Sequence, residues 1–370
     1  IRDIGVTGVQ TCALPIYPFI TNSEHRKENN MGWGTQIRYT RKKQKTFFEW
    51  ITGIESLKQN SRIDNYGNKF GKPDTLQFAD ELKVKQWYAY TQTNLHWGHW
   101  TLNAGLSVNQ QPFYYQRVSQ TGSLPGTRIL PSFFAPRFSL TRNLHNGNVY
   151  LLVSRGFSPP TVAEIRPSDG NYYGNLTPEN GWNWEAGWRL VSNNRRWFWD
   201  AAFYRFMLRQ TIVRRNNAAG AEYFENAGST LQQGIETGVQ WKMVTPSAKR
   251  KWELSWQTSF CFQPYYFVQY QQGTANYSGN ALTGIPRTIL FTGWKWIHLK
   301  GWYLNAQLIA NAAIPLNDAS DEYAKSYQLL QAEGGFRVKR KTVEWHFFAG
   351  ADNILNQHYS LGNDINAAGR

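Results

Sequence analysis

Long stretches of this chain alternate apolar and polar residues with a period of two. From Trp100 onward, Leu102, Ala104, Leu106 and Val108 are apolar, while Thr101, Asn103, Gly105, Ser107 and Asn109 oppose them. Successive side chains of a β-strand point to opposite faces, so such a run is a strand with one oily and one wet face. The same alternation runs through 302–310, with Ile309 as its one lapse, and through 182–190, 231–243, 252–262 and 343–352. Read this way, the chain holds fourteen strands, at 31–41, 46–57, 82–97, 99–111, 134–143, 147–157, 181–192, 195–213, 229–244, 250–264, 287–298, 301–314, 327–339 and 341–353.

Two architectures share the pattern. A soluble sandwich packs its oily face on a core and leaves the other to water. An outer-membrane barrel turns the oily face to lipid and the wet face to its lumen. Strand length separates them. Soluble strands cluster near five or six residues and membrane-crossing strands need roughly nine to eleven; the runs here span ten to sixteen in every strand but 195–213, which is longer. Aromatic residues gather toward strand ends at Trp97, Trp100, Trp182, Trp184, Trp241, Trp252 and Trp302, as the interfacial girdles of a barrel require. Short links at 42–45, 98, 144–146, 193–194, 245–249, 299–300 and 340 alternate with long ones at 58–81, 112–133, 158–181, 214–229, 263–286 and 315–326. Strict alternation puts every tight turn at one rim and every long loop at the other, the arrangement of short periplasmic turns and long extracellular loops. The expected fold is all-β, an antiparallel transmembrane β-barrel represented by about 14 strands of a larger wall.

Composition narrows the function. Apolar residues make up 41% of the 370, mean hydropathy is −0.56, and no run of 18 apolar residues exists to form a membrane-spanning helix. An aromatic content of 16% excludes an intrinsically disordered chain. Two cysteines, Cys12 and Cys261, exclude a disulfide framework or a zinc module. The net charge of +15 concentrates at the short turns, where Arg41, Lys42, Lys43, Lys45, Arg195, Arg196, Lys249, Arg250, Lys251, Lys300, Lys339, Arg340 and Lys341 cluster without an Asp or Glu among them. A nucleic-acid surface would show one basic face with interleaved stacking aromatics, so no nucleic-acid partner is expected. Cations at one depth either meet the anionic head groups of outer-membrane lipid or solvate the turns.

Residues 1–16 stand apart. They show no period, and no charged segment precedes an apolar run as in a signal peptide. The run Val6-Thr7-Gly8-Val9-Gln10-Thr11-Cys12-Ala13-Leu14-Pro15-Ile16 resembles a translated sequencing-library adapter, so it is set aside, and Cys12 with it. Residues 17–370 are read as one barrel domain.

From Val149 onward, five pieces follow in a fixed order. A strand runs into Gly156-Phe157-Ser158-Pro159-Pro160-Thr161-Val162-Ala163-Glu164-Ile165, then come Asn175-Leu176-Thr177-Pro178-Glu179 and Trp184-Glu185-Ala186-Gly187. After a strand ending Phe203-Tyr204, Tyr223-Phe224-Glu225-Asn226-Ala227-Gly228 precedes Gly234-Ile235-Glu236, and Ala351-Asp352-Asn353-Ile354-Leu355-Asn356-Gln357-His358-Tyr359 stands near the end. Together they resemble the C-terminal barrel of TonB-dependent outer-membrane receptors. The resemblance implies a wall of about 22 strands filled by an N-terminal plug, a TonB-recognition segment ahead of it, and active uptake of a scarce solute across the outer membrane of a Gram-negative bacterium, with a ferric siderophore as the leading expectation. The sequence departs from that pattern: it carries neither plug nor TonB segment, and Gly369-Arg370 lacks a final strand with its terminal aromatic. The expectation is a fragment, whose outer-membrane partners are lipid, the TonB system through a plug absent from this chain, and a small-molecule or metal-chelate substrate.

The motif positions Pro160, Thr161, Glu164, Pro178, Glu179, Glu185, Gly187, Asn226, Gly228 and Glu236 read mainly as folding determinants. Pro159 and Pro160 remove ladder donors where a strand enters a loop. Glu185 and Glu236 fall on the wet parity, and Asn226 and Gly228 suit a turn. Catalysis is not expected, because there is no Gly-x-Ser-x-Gly elbow, phosphate loop or Cys-x-x-Cys, and the seven histidines are scattered. No metal or cofactor is expected either. Substrate contacts are sought at the mouth, where loops carry aromatics and a few polar anchors. Candidates are Tyr114, Tyr115 and Arg117 in one loop, Arg166, Tyr172 and Tyr173 in another, and Tyr265 and Tyr266 in a third. Arginine and tyrosine together suit an anionic, aromatic chelate; the competing role for the tyrosines is interfacial anchoring or loop packing. Siderophore, haem, cobalamin and oligosaccharide stay open as solutes. Two other classes also stay open: a passive porin-like barrel, and a soluble Trp-rich carbohydrate-binding β protein.

Overall fold

The computed structural model describes residues 22–69, 72–120, 125–167, 170–216, 222–361 and 366–367. Residues 1–16 lie outside them. Fourteen long strands form the wall: β1 (Asn22–Lys43), β2 (Thr46–Lys69), β3 (Lys72–Trp97), β4 (Trp100–Gln110), β5 (Phe133–Leu144), β6 (Gly147–Ser158) and β7 (Glu179–Val191); then β8 (Trp197–Arg209), β9 (Ser229–Val244), β10 (Trp252–Phe262), β11 (Thr288–His298), β12 (Trp302–Asn311), β13 (Tyr327–Arg340) and β14 (Val343–Ala351). Each pairs antiparallel with the next. Short strands at Pro112–Arg117, Gly126–Ile129 and Tyr266–Gln269 complete a 17-stranded sheet. Among the described residues β14 and β1 do not pair, so the sheet is an open arc of a barrel wall.

All fourteen expected strands are present. The largest difference lies at the N-terminal side, where β1 begins at Asn22 and β2 and β3 continue through most of 58–81, assigned above to a loop. The 24 residues of β2 extend about 80 Å at roughly 3.3 Å each, while crossing the membrane takes roughly nine to eleven residues. More than half of this hairpin therefore projects beyond the hydrocarbon.

The oily parity points outward. Trp33, Leu151, Trp184 and Trp345 are 61%, 59%, 57% and 57% exposed, and among the described residues no second sheet covers them. Register makes the rows continuous: Val149, Trp188, Ala201, Thr237, Phe260, Leu290 and Ala310 lie side by side across seven strands. An exposed apolar band of this extent is far beyond what a soluble monomer tolerates, which removes the sandwich.

The wet parity is held by a repeated joint. Gly53, Gly187, Gly234 and Gly335 pair directly with Tyr90, Tyr150, Tyr204 and Tyr303 of the neighbouring strand. A Cβ at those glycines would come within 2.6–2.8 Å of the tyrosine ring or hydroxyl, so each glycine makes room for a ring from the next strand. The hydroxyls then reach polar groups of the same face. Tyr150 donates to Glu185 at 2.7 Å and Tyr303 to Glu333 at 2.8 Å, and the Tyr204 and Tyr265 oxygens are 2.7 Å apart. This explains the pairing of Glu185 with Gly187 two residues on: one accepts the hydroxyl whose ring the other accommodates.

At the short-turn rim, Gln44, Arg195 and Lys341 adopt positive φ beside Gly98, Gly147 and Gly301, as tight antiparallel turns require. Twelve of the thirteen rim cations are exposed, and none enters an ion pair among the described residues. Arg196, half-buried, donates to the Met243 carbonyl at 3.2 Å.

Candidate functional site at the long-loop mouth

The long loops pack on one another through two small cores. In the first, Ile63, Leu82 and Val84 of β2 and β3 meet Phe113 and Leu130, and Val162, Ile165 and Leu176 close over them. Val162 and Ile165 belong to a single helical turn, α1 (Val162–Ile165), fixed by a capping box. Glu164 N donates to Thr161 Oγ1 at 3.3 Å, and Thr161 N donates to Glu164 Oε2 at 2.6 Å. Pro160, fully buried, ends the strand just before it. The Pro-Pro-Thr-x-x-Glu motif thus builds the turn that seats two apolar side chains in the loop core.

Beside this core Asp80 has no accessible surface and accepts from three side chains. Arg166 Nε reaches Oδ2 at 2.6 Å, Arg117 Nε reaches Oδ1 at 2.9 Å, and the Tyr115 hydroxyl reaches Oδ1 at 3.1 Å. Arg117 also donates to the Gly170 carbonyl and Arg166 to the Pro167 carbonyl. The Phe78 ring carries both guanidiniums, 4.6 Å from that of Arg117 and 4.8 Å from that of Arg166. Burial, then the Asp80 charge, pushes the Tyr115 phenol up from its usual range. One carboxylate therefore ties three otherwise separate segments: the β2–β3 hairpin, the strand at 112–117 and the loop after α1.

The second core gathers Ala227, Phe267 and Tyr270, with Val213, Tyr277 and Leu282 against them. Arg215, almost fully buried, binds Glu225 at 2.9 Å and stands over the Tyr270 ring at 5.1 Å. The Tyr270 hydroxyl donates to Asp318 at 2.7 Å, and burial followed by that hydrogen bond pushes the phenol up to about 12. Asn226 stitches the two cores: its Oδ1 accepts from Thr177 N at 2.8 Å, and its Nδ2 donates to the carbonyls of Thr177 and Gln210 at 2.9 and 2.7 Å. Glu179 accepts from Ile212 N at 2.7 Å.

The eight sequence candidates divide. Tyr115, Arg117, Arg166, Tyr172 and Tyr173 come together around the first core; Tyr115 stacks on Tyr172 at 4.4 Å, and Tyr173 on Tyr223 at 5.8 Å. Arg166, a candidate solute contact, is corrected, because the side chain is fully buried and its charge is spent on Asp80 at 2.6 Å and Glu24 at 3.8 Å. Tyr114 is corrected as well. It pairs with Lys83 while Tyr115 pairs with Leu82, so alternation turns it to the opposite face, where the Lys85 ammonium lies 5.6 Å from its ring. Tyr265 joins Tyr204 on the wet face, and Tyr266 pairs in register with Leu231. Sequence reading missed Asp80, Phe78, Arg215 and Asp318. It also missed an inward-facing pocket of about 360 Å³ at the mouth, lined among others by Arg26, Glu28, Gln59, Gln86, Gln111 and Thr161. Among the described residues no group of three His, Cys, Asp or Glu is placed to hold a metal ion.

A family model described as TonB dependent receptor-like, beta-barrel, matches residues 15–354. The chain belongs to this family. As a TonB-dependent receptor barrel it sits in the Gram-negative outer membrane with its short turns periplasmic and its long loops extracellular, which removes the soluble carbohydrate-binding reading. Solved structures agree on the fold. The ferric citrate transporter FecA in its unliganded form superimposes with a TM-score of 0.73 at 15% identity, over 91% of this chain and 51% of that one. The ferric yersiniabactin uptake receptor FyuA from Yersinia pestis gives 0.66 at 12% identity, over 94% and 52%. The copper transporter OprC gives 0.69 at 14% identity, over 94% and 56%. The chain spans about half the length of these three proteins.

Proposed function

We propose that this chain is part of the wall of an energy-coupled outer-membrane importer whose cargo is a ferric chelate. The observation that carries the reading is a polar inner face beneath loops that are cross-braced rather than floppy. Asp80 and Asn226 lock the extracellular segments into one unit, and the mouth pocket below offers three glutamine amides, beside an Arg26 ion-paired to Glu24 and Glu28. An anionic, oxygen-rich chelate is recognised by such donors, with Tyr172, Tyr173 and Tyr265 as the aromatic contacts from the loops. Further down, Gln240, Gln257, Lys295, Asn305, Gln307 and Glu333 on the wet face of the wall offer polar partners to the surface of a plug domain. Engagement of the TonB system would pass through that plug.

The test is uptake by the intact receptor in an outer membrane. Radiolabelled iron delivered as citrate, catecholate or hydroxamate chelates is expected to enter saturably with one of them. Uptake is expected to stop when the proton-motive force is collapsed or TonB is deleted. Entry that rises linearly with solute concentration and ignores TonB would overturn the reading in favour of a passive pore. Saturable, TonB-dependent entry of a copper complex alone would overturn the cargo and leave the importer standing.

A further inference from the structure

Three arginines stand on the lipid-facing side of the wall near its extracellular end, where alternation calls for apolar side chains. Arg155 of β6 pairs with Trp182 of β7, and Arg205 and Met207 of β8 pair with Trp184 and Trp182. Arg155, Arg205 and Arg209 therefore share the outward face with Trp182 and Trp184, which are 44% and 57% exposed. Together they line a groove of about 680 Å³ completed by Asn180, Gly181 and Met207. Arg155 is held in place: it donates to Asn180 Oδ1 at 3.2 Å and stands over the Phe133 ring at 4.4 Å. Arg205 and Arg209 are exposed and enter no ion pair among the described residues. The β7 carboxylates, Glu179 and Glu185, lie on the opposite parity and accept from the Ile212 amide and the Tyr150 hydroxyl.

Depth decides what such a groove meets. Trp197 marks the periplasmic girdle at the start of β8. A strand tilted by about 45° climbs roughly 2.3 Å per residue along the membrane normal. Arg205 then lies roughly 19 Å above Trp197 and Arg209 roughly 28 Å, bracketing the outer edge of an apolar band about 25 Å tall. A guanidinium on the lipid face is costly at mid-depth and nearly free at the interface, so these arginines sit where the phosphates of outer-leaflet lipid lie.

We propose that the groove binds the phosphorylated, multiply acylated glycolipid of the outer leaflet. The guanidiniums of Arg205, Arg209 and Arg155 take the glucosamine phosphates, for which planar forked donors are matched, while acyl chains lie along Trp182, Trp184 and Met207. The test uses the intact receptor extracted in detergent and titrated with hexa-acylated, bis-phosphorylated lipid A under native mass spectrometry. Binding is expected to fall on the order of 10- to 100-fold in Arg205→Gln/Arg209→Gln, and to fall comparably for wild type offered dephosphorylated lipid A. Arg214→Gln, on an exposed loop hairpin, is expected to bind as wild type. Equal affinity for bis-phosphorylated and dephosphorylated lipid A would overturn the proposal, as would equal affinity for phosphatidylglycerol. Both comparisons need only the wild-type protein, so a double variant that fails to assemble leaves the proposal open to refutation.

Discussion

Asp80→Ala is expected to open the extracellular loops without dissolving the wall. The substitution leaves Arg117 partly buried without its carboxylate, and Arg166 fully buried with only the Glu24 carboxylate at 3.8 Å. Removing one partner of a buried ion pair costs about 3–5 kcal/mol, and the Glu24 contact that Arg166 keeps puts this case at about 3–4 kcal/mol. The lost contact joins the hairpin to segments 37 and 86 residues away in sequence, so the cost falls on loop docking, and the β-ladder does not depend on it. Limited proteolysis on intact cells reads this directly. Where cleavage follows local opening, cutting within 118–131 and 166–176 should accelerate by roughly 100- to 1000-fold, while heat-modifiable mobility of the barrel stays as in wild type. Asp80→Ala/Arg166→Met should recover part of the protection, since it removes the stranded charge as well. Unchanged loop cleavage in Asp80→Ala would mean that the apolar core alone holds the loops.

Gly228→Ala is expected to prevent proper closure of the second loop core onto β9. Gly228 has φ +73°, and a Cβ there would sit 1.6 Å from the Gln269 carbonyl oxygen. Left-handed backbone at a residue with a side chain costs about 1–3 kcal/mol, and a main-chain overlap of this size adds a comparable repacking cost. Assembled protein in outer membranes should fall several-fold, with the Tyr266–Gln269 strand losing its hydrogen-exchange protection first. Gly156→Ala is the matched control: its Cβ would meet nothing within 4 Å and its φ is not positive, so it should accumulate as wild type.

What the sequence disclosed follows from where lipid acts. Inside the membrane the two faces of each strand meet opposite solvents, so the period of two is written into residues such as Leu102 through Val108, and the strand positions there are nearly those observed. Beyond the membrane the outer face of β2 and β3 no longer meets lipid and the inner face packs on the loops, so the oily period lapses after Leu57 and the hairpin from Lys58 to Glu81 reads as loop although its ladder continues. Asp80 was invisible for a related reason. A single carboxylate in a polar stretch carries no local signal, and its partners are fixed by loop packing. Tyr114 and Tyr115 could be told apart only once Pro112–Arg117 was known to be a strand paired with β3. Glu185 and Gly187 were placed on the correct face from parity, but their purpose needed the register that brings Tyr150 over the glycine.

The most direct test of the account is nitroxide accessibility along β4 of the intact receptor in outer membranes. Labels at positions 102, 104 and 106 should be relaxed strongly by oxygen, which concentrates in hydrocarbon, and labels at 103 and 107 by a water-soluble nickel chelate. A profile in which both sets meet the nickel reagent equally, or in which the phase is reversed, would contradict a wall whose Leu102 and Leu106 face lipid.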